Sequence, residues 1–163
     1  MKTYFLMGCL LAALTTYATE SLGADEAEES SITLERTLCY GKCPSYRMTV
    51  YSSGAYAWEG RKYVSRLGKH QGRINRKVFE DAMKLLQDYR YLEFKDNYAD
   101  YTGCTSMSTD SPSAIIEVKG PVGPKRIKHY HGCEGFARQS ELFELEKKLD
   151  EALNTKRFNT RGD

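Results

Sequence analysis

The stretch "YRMTVYSSGAYAWEG", Tyr46 to Gly60, decides how this chain folds. Tyr46, Met48 and Val50 alternate with polar neighbours, the side-chain period of a half-buried strand. Ser52-Ser53-Gly54 supplies turn chemistry, and Tyr56 and Trp58 resume the alternation, so the stretch reads as a β-hairpin. Upstream, "ITLERTL" alternates Ile32, Leu34 and Leu38 and reads as another strand. Residues 61–74 have room for one more short strand around Tyr63 and Val64. Further on, the apolar period lengthens to that of a helix. Val78, Phe79, Ala82, Leu85, Leu86 and Tyr89 form one stripe ending near Tyr91, with Asn75 placed to cap its start. The segment from Lys95 to Ser113 shows no regular pattern, and a loop of that length is either functional or tied down. "AIIEV" and "RIKHYHGC" flank a turn containing Pro and Gly as a second hairpin. Leu142, Leu145, Leu149, Ala152 and Leu153 mark a closing helix. The order β-β-β-α-β-β-α predicts an α+β fold: a single antiparallel or mixed sheet of about five strands with two helices packed on one face.

At 163 residues the chain is one domain's worth of protein. Lys2 precedes an uncharged, mostly apolar run from Tyr4 to Leu14, and Thr16 and Ala18 sit at the −3 and −1 positions of a cleavage site. Residues 1–18 therefore read as a secretory signal peptide, with cleavage as late as Gly23 as a second option. The run is too short to span a bilayer, so the mature chain is expected to be periplasmic or secreted and free of transmembrane segments. "LMGC", Leu6 to Cys9, has the look of a lipobox. Most of the apolar run follows Cys9, however, which argues against lipid anchoring there. Residues 19–31 are acidic and aperiodic, a flexible linker; 32–154 form the domain; 155–163 read as a polar tail ending in Arg-Gly-Asp.

Removing the signal leaves Cys39, Cys43, Cys104 and Cys133, an even count that in an oxidising compartment is first a disulfide framework. Tyr40-Gly41-Lys42 can turn back on itself, so a Cys39–Cys43 pair is feasible, and Cys104–Cys133 would then tie down the long loop. Loop-closure entropy favours these by about 2 and about 3–4 kcal/mol respectively. The pairings 39–104 with 43–133, and 39–133 with 43–104, stay open. A redox dithiol is a weaker reading, because the spacing is C-x-x-x-C and no helix follows Cys43 to stabilise a thiolate. A zinc or copper site is the sharper alternative, since His129, His131 and Cys133 share a period-two face and with Cys39 and Cys43 would resemble a ligand set.

The chain resembles a family of exported bacterial domains of unknown function. The resemblance is carried by "RTLCYGKCPSYRMTVYSSGAYAWEG", by "TDSP" at Thr109 to Pro112 and by "HYHGC" at His129 to Cys133, and spans residues 32–152. It implies an envelope-located α+β domain and supplies no catalytic residues.

The net charge of +2 makes no demand for a polyanionic partner at the whole-chain level, and nucleic acid is not favoured. Locally, Arg61, Lys62, Arg66, Lys69 and Arg73 are interleaved with Tyr63 and uninterrupted by acid, and Lys125, Arg126 and Lys128 form a second group. With Tyr40 these make a candidate surface for an anionic glycan, a lipid head group or an acidic protein segment. Ser106, Ser108 or Ser111 with Asp110 and a histidine would suit a hydrolase, but no nucleophile elbow surrounds them. The sequence thus points to an exported, disulfide-stabilised binding or envelope-accessory domain without a cofactor rather than to an enzyme.

Overall fold

A computed structural model describes residues 29–120 and 124–159. The expected signal peptide, Cys9, most of the expected acidic linker and the Arg-Gly-Asp end lie outside the described residues. The quoted hairpin is formed by β2 (Ser45–Tyr51) and β3 (Ala55–Lys62), with Met48 opposite Trp58 and Val50 opposite Tyr56. Gly54, at φ +83°, closes the turn, where a side chain would be strained. β1 (Ser31–Arg36) pairs antiparallel with β2 on one side and with β7 (Ser113–Lys119) on the other.

The full sheet has seven strands in the order β4-β3-β2-β1-β7-β8-β5, where β4 is Gly68–Arg73, β8 Lys125–Tyr130 and β5 Asn97–Tyr98. It is mixed, because β5 runs parallel to β8. The expected five strands gain β4 and β5. β4 starts at Gly68 rather than around Tyr63 and Val64, which form the preceding turn, with Tyr63 at φ +55°. The aperiodic 95–113 segment holds β5 and also β6 (Ser106–Met107), which pairs with β9 (Cys133–Glu134) in a separate two-stranded sheet. Two-residue strands leave no periodic trace to read.

Two helices cover one face. α1 (Lys77–Asp88) carries the chain from the β4 edge across β2 and β1, and α2 (Gln139–Ala152) packs beside it. Asn75 caps α1 by accepting the Lys77 backbone N–H at 2.9 Å. Beneath them, Ile32, Leu34, Met48, Val50, Ile116 and Ile127 pack against Ala82, Leu86, Leu142, Leu145 and Leu149. The expected polar tail begins inside the fold. α3 (Lys156–Asn159) buries Phe158, which stacks on Trp58 at 4.6 Å while Tyr46 stacks on the other face of the indole at 4.8 Å. Trp58 Nε1 donates to the Arg66 carbonyl at 2.8 Å. A single aromatic residue among charges has no periodicity, so Phe158 was invisible as core. Gly60 lets the 63–67 turn close over this stack: a Cβ there would lie 2.0 Å from the Arg66 carbonyl oxygen.

Candidate functional site

Arg36 to Tyr46, Thr109 to Pro112 and His129 to Cys133, all within the stretches that carry the resemblance, converge on one end of the sheet. Arg36, Tyr46, Ala114 and His129 occupy one register line across β1, β2, β7 and β8, and the loops beyond that line interlock. Thr37 N–H donates to the Ser113 carbonyl, Tyr40 N–H to the Asp110 carbonyl, and His131 N–H to the Pro112 carbonyl. Disulfides join Cys39 to Cys43 and Cys104 to Cys133, and both lie at this same end. The β1–β2, β3–β4 and β5–β6 connections all emerge here.

Five of the six large apolar side chains left exposed among the described residues sit in these loops: Leu38, Tyr40, Tyr63, Leu67 and Tyr101. Tyr40 is 91% and Tyr101 80% exposed. Leu38, expected on the core face of the first strand, lies past the strand end, and Arg36 takes the inward position in its place. Two recesses open between the loops. One of about 320 Å³ is lined by Tyr101, Met107, Ser108, Asp110, Lys128 and Tyr130. A more apolar one of about 390 Å³ is lined by Cys43, Pro44, Pro112, Arg36, Asp150 and Asn159.

Below the loops lies a buried polar cluster. Glu146 is 1% exposed and accepts hydrogen bonds from His129 Nδ1 at 2.6 Å, His131 Nε2 at 2.7 Å and Arg36 Nη1 at 2.9 Å. Asp150, one helical turn on, accepts from Arg36 Nη2 at 2.7 Å, from Thr155 Oγ1 at 2.9 Å and from the Tyr46 hydroxyl. Burial alone would raise the Glu146 pKa, but the two imidazole donors and the Arg36 charge outweigh it and hold the carboxyl at about 2. Burial and the neighbouring Asp150 carboxylate push the Tyr46 phenol above its ordinary value. Phe143 and Phe136 stand edge-on to the His129 ring, and its Nε2 is buried without a hydrogen-bond partner among the described residues.

The metal alternative is redrawn by this geometry. Cys133 is spent in its disulfide, and Glu146 stands where a third ligand was expected: one nitrogen from each histidine and a Glu146 oxygen lie within 4.8 Å of one another. A cation already holds the place, since Arg36 Nη1 contacts Glu146 Oε2 and lies 3.4 Å from His131 Nε2. The cluster is that of an ion-paired anchor fastening α2 to the sheet.

The basic residues singled out in the sequence are divided. Tyr40, Arg61, Lys62, Tyr63, Arg66 and Lys69 lie at or near the loop end; Lys128 is one register step from it, on the far side of β2, β1 and β7. Arg73, Lys125 and Arg126 lie toward the opposite end. Lys125 is tied to Asp96 at 2.5 Å and to the Phe94 carbonyl at 2.7 Å. Arg66 packs over Phe158, and Arg73 donates to the Ser53 carbonyl. Arg61 is paired with Glu35 and Glu59 on the uncovered sheet face, where a groove of about 510 Å³ also holds Arg47, Glu117 and Lys69. That face largely neutralises itself: Arg47 reaches Glu35 at 2.8 Å and Glu117 at 3.3 Å.

Arg36, Tyr46, Glu146 and Asp150 were not expected to share a site: Tyr46 was read only as a strand residue. Two of them left a signal: Glu146 interrupts the apolar stripe between Leu142 and Leu149, and Arg36 continues the inward phase of Ile32 and Leu34.

Fold and site together define an α+β domain that presents a disulfide-braced set of aromatic and basic loops at one end of a helix-covered sheet. The chain belongs to the DUF6438 family of domains of unknown function, whose model matches residues 30–153. No curated protein matches it.

Proposed function

We propose that the protein is an exported, disulfide-stabilised binding domain of the cell envelope that holds an anionic ligand with the loop end of its sheet. The observation that carries this reading is the coincidence of both disulfides with five exposed large apolar side chains at one end. Exposed aromatic side chains cost little entropy to immobilise on binding, and loops fixed before contact lose less freedom still. A rigid scaffold with recognition loops at one end is a common division of labour. Lys42 and Lys62 lie among these loops, and Lys62 rests 5.0 Å from the Tyr63 ring centroid. The absence of a membrane-crossing helix among the described residues and the paired cysteines are compatible with export.

The test is sedimentation of the purified chain with phosphatidylglycerol vesicles and with immobilised polygalacturonate. Saturable binding to one of them, weakened at least about tenfold in a Tyr40→Ala, Lys42→Ala double variant, is expected. Absence of binding to both, or binding that the double variant leaves untouched, rules the reading out. Fractionation of cells making the full chain tests export separately: the protein must leave the cytoplasm with its signal removed.

A further inference from the structure

We propose that the 320 Å³ recess beside Tyr101 is a subsite for an acidic sugar residue, a uronic-acid-type saccharide unit. This rests on the binding-domain reading and names the ligand class of that end of the sheet.

The recess combines three kinds of group that rarely suit one ligand. Tyr101 offers an almost fully exposed ring, whose electron-rich face attracts the C–H side of a pyranose. Asp110 and Ser108 supply hydrogen-bonding groups at the rim. One Asp110 oxygen already accepts the Thr109 hydroxyl at 2.8 Å, which leaves the other for a donor from outside. The Tyr130 hydroxyl accepts the Ser111 backbone N–H at 3.1 Å, so its own proton is free to donate into the recess. Lys128 adds an ammonium with no ion pair among the described residues.

A carboxylate acceptor and an ammonium lining the same recess select between anions. Phosphate concentrates up to two negative charges on a small ion that the Asp110 carboxylate repels, and the recess has no arginine fork to grip it in two places. An acidic sugar answers both groups, its hydroxyls donating to Asp110 and its carboxylate meeting Lys128. The volume lies at the lower end of small-ligand pockets, roughly 300–1,000 Å³.

The walls are also fixed in advance. The Cys104–Cys133 bond, the β6–β9 pairing and the Ser108 N–H to Gly132 carbonyl bond hold the outer wall against the end of β8. Asp110 is kept at φ +66°, a backbone region costly for a residue with a side chain, and its carbonyl is held by the Tyr40 N–H.

The experiment is a titration of the full chain, followed by backbone-amide NMR, with trigalacturonate, a hyaluronan tetrasaccharide, maltotriose and inorganic phosphate. Trigalacturonate or the hyaluronan fragment should shift Tyr101, Asp110 and Tyr130 and bind at least about tenfold more tightly than maltotriose. Tyr101→Ala should weaken that binding about tenfold, and Lys128→Gln should erase the preference for the acidic sugar over the neutral one. Tyr101 is exposed and Lys128 is half-buried outside the hydrophobic core, so the variants should keep the parent's amide spectrum elsewhere. Phosphate binding as tightly as the sugar, or a Tyr101→Ala variant indistinguishable from the parent, overturns the subsite. If the acidic sugars shift Tyr40 and Tyr63 but not the recess, the subsite fails while the binding-domain reading stands. If no amide at the loop end moves and the vesicles also fail to bind, both fall.

Discussion

Glu35 and Arg36 are adjacent in β1, point to opposite faces of the sheet and have similarly covered side chains, 12% and 15% exposed. Each holds two ions of opposite charge. Glu35 bridges Arg47 and Arg61 on the uncovered face, while Arg36 bridges Glu146 and Asp150 under α2. The partners differ. Arg47 and Arg61 are more than a third exposed and can turn into water, whereas Glu146 has no route out. The cost of breaking an ion pair is set less by the group removed than by where its abandoned partner can go.

Arg36→Ala should break the comparison most severely. Glu146 would be left buried with a weakened set of donors, at a cost of about 3–5 kcal/mol in chemical denaturation. A drop below about 1 kcal/mol would mean that the imidazoles alone neutralise the carboxylate. Acid should act on the same side of the strand. A carboxyl held at about 2 in the folded protein, against 4.5 as its ordinary value, contributes stability that is complete above pH 4.5. That contribution is lost as pH falls toward 2, in total on the order of 3 kcal/mol. Urea midpoints measured between those pH values should decline more steeply for the parent than for Glu146→Gln; parallel declines would remove Glu146 from the account. The smallest effect belongs to the open face: Glu35→Gln frees two arginines that water can solvate and should cost about 1 kcal/mol or less. If it costs as much as Arg36→Ala, solvent access of the partner is not what separates the two.

Much of the architecture was legible because it repeats. The period-two runs around Met48 and Trp58 and the stripe through Ala82 and Leu86 report a buried face directly, and all four side chains are buried. β5 and β6 were not legible, since two residues held by a neighbouring strand or a disulfide leave no period. Phe158 was missed for a related reason: it is core only because Trp58 offers it an indole face. At the candidate site, Tyr40 and the basic residues near Tyr63 could be named from the sequence, but their separation from Lys128 could not, because it is set by the three strands between β3 and β8.

By itself the sequence determined the fold class, the helix and hairpin phases, and a set of cysteines positioned to cross-link, all consequences of local spacing. Only the tertiary structure decided that Arg36 and Asp150, 114 positions apart, share one ion-paired anchor. It also decided that both disulfides brace the same end of the sheet and that Tyr101, Asp110 and Lys128 line one recess. Local spacing sets which way a side chain points. Strand order and helix docking, chosen by the burial of the whole core, set what it meets.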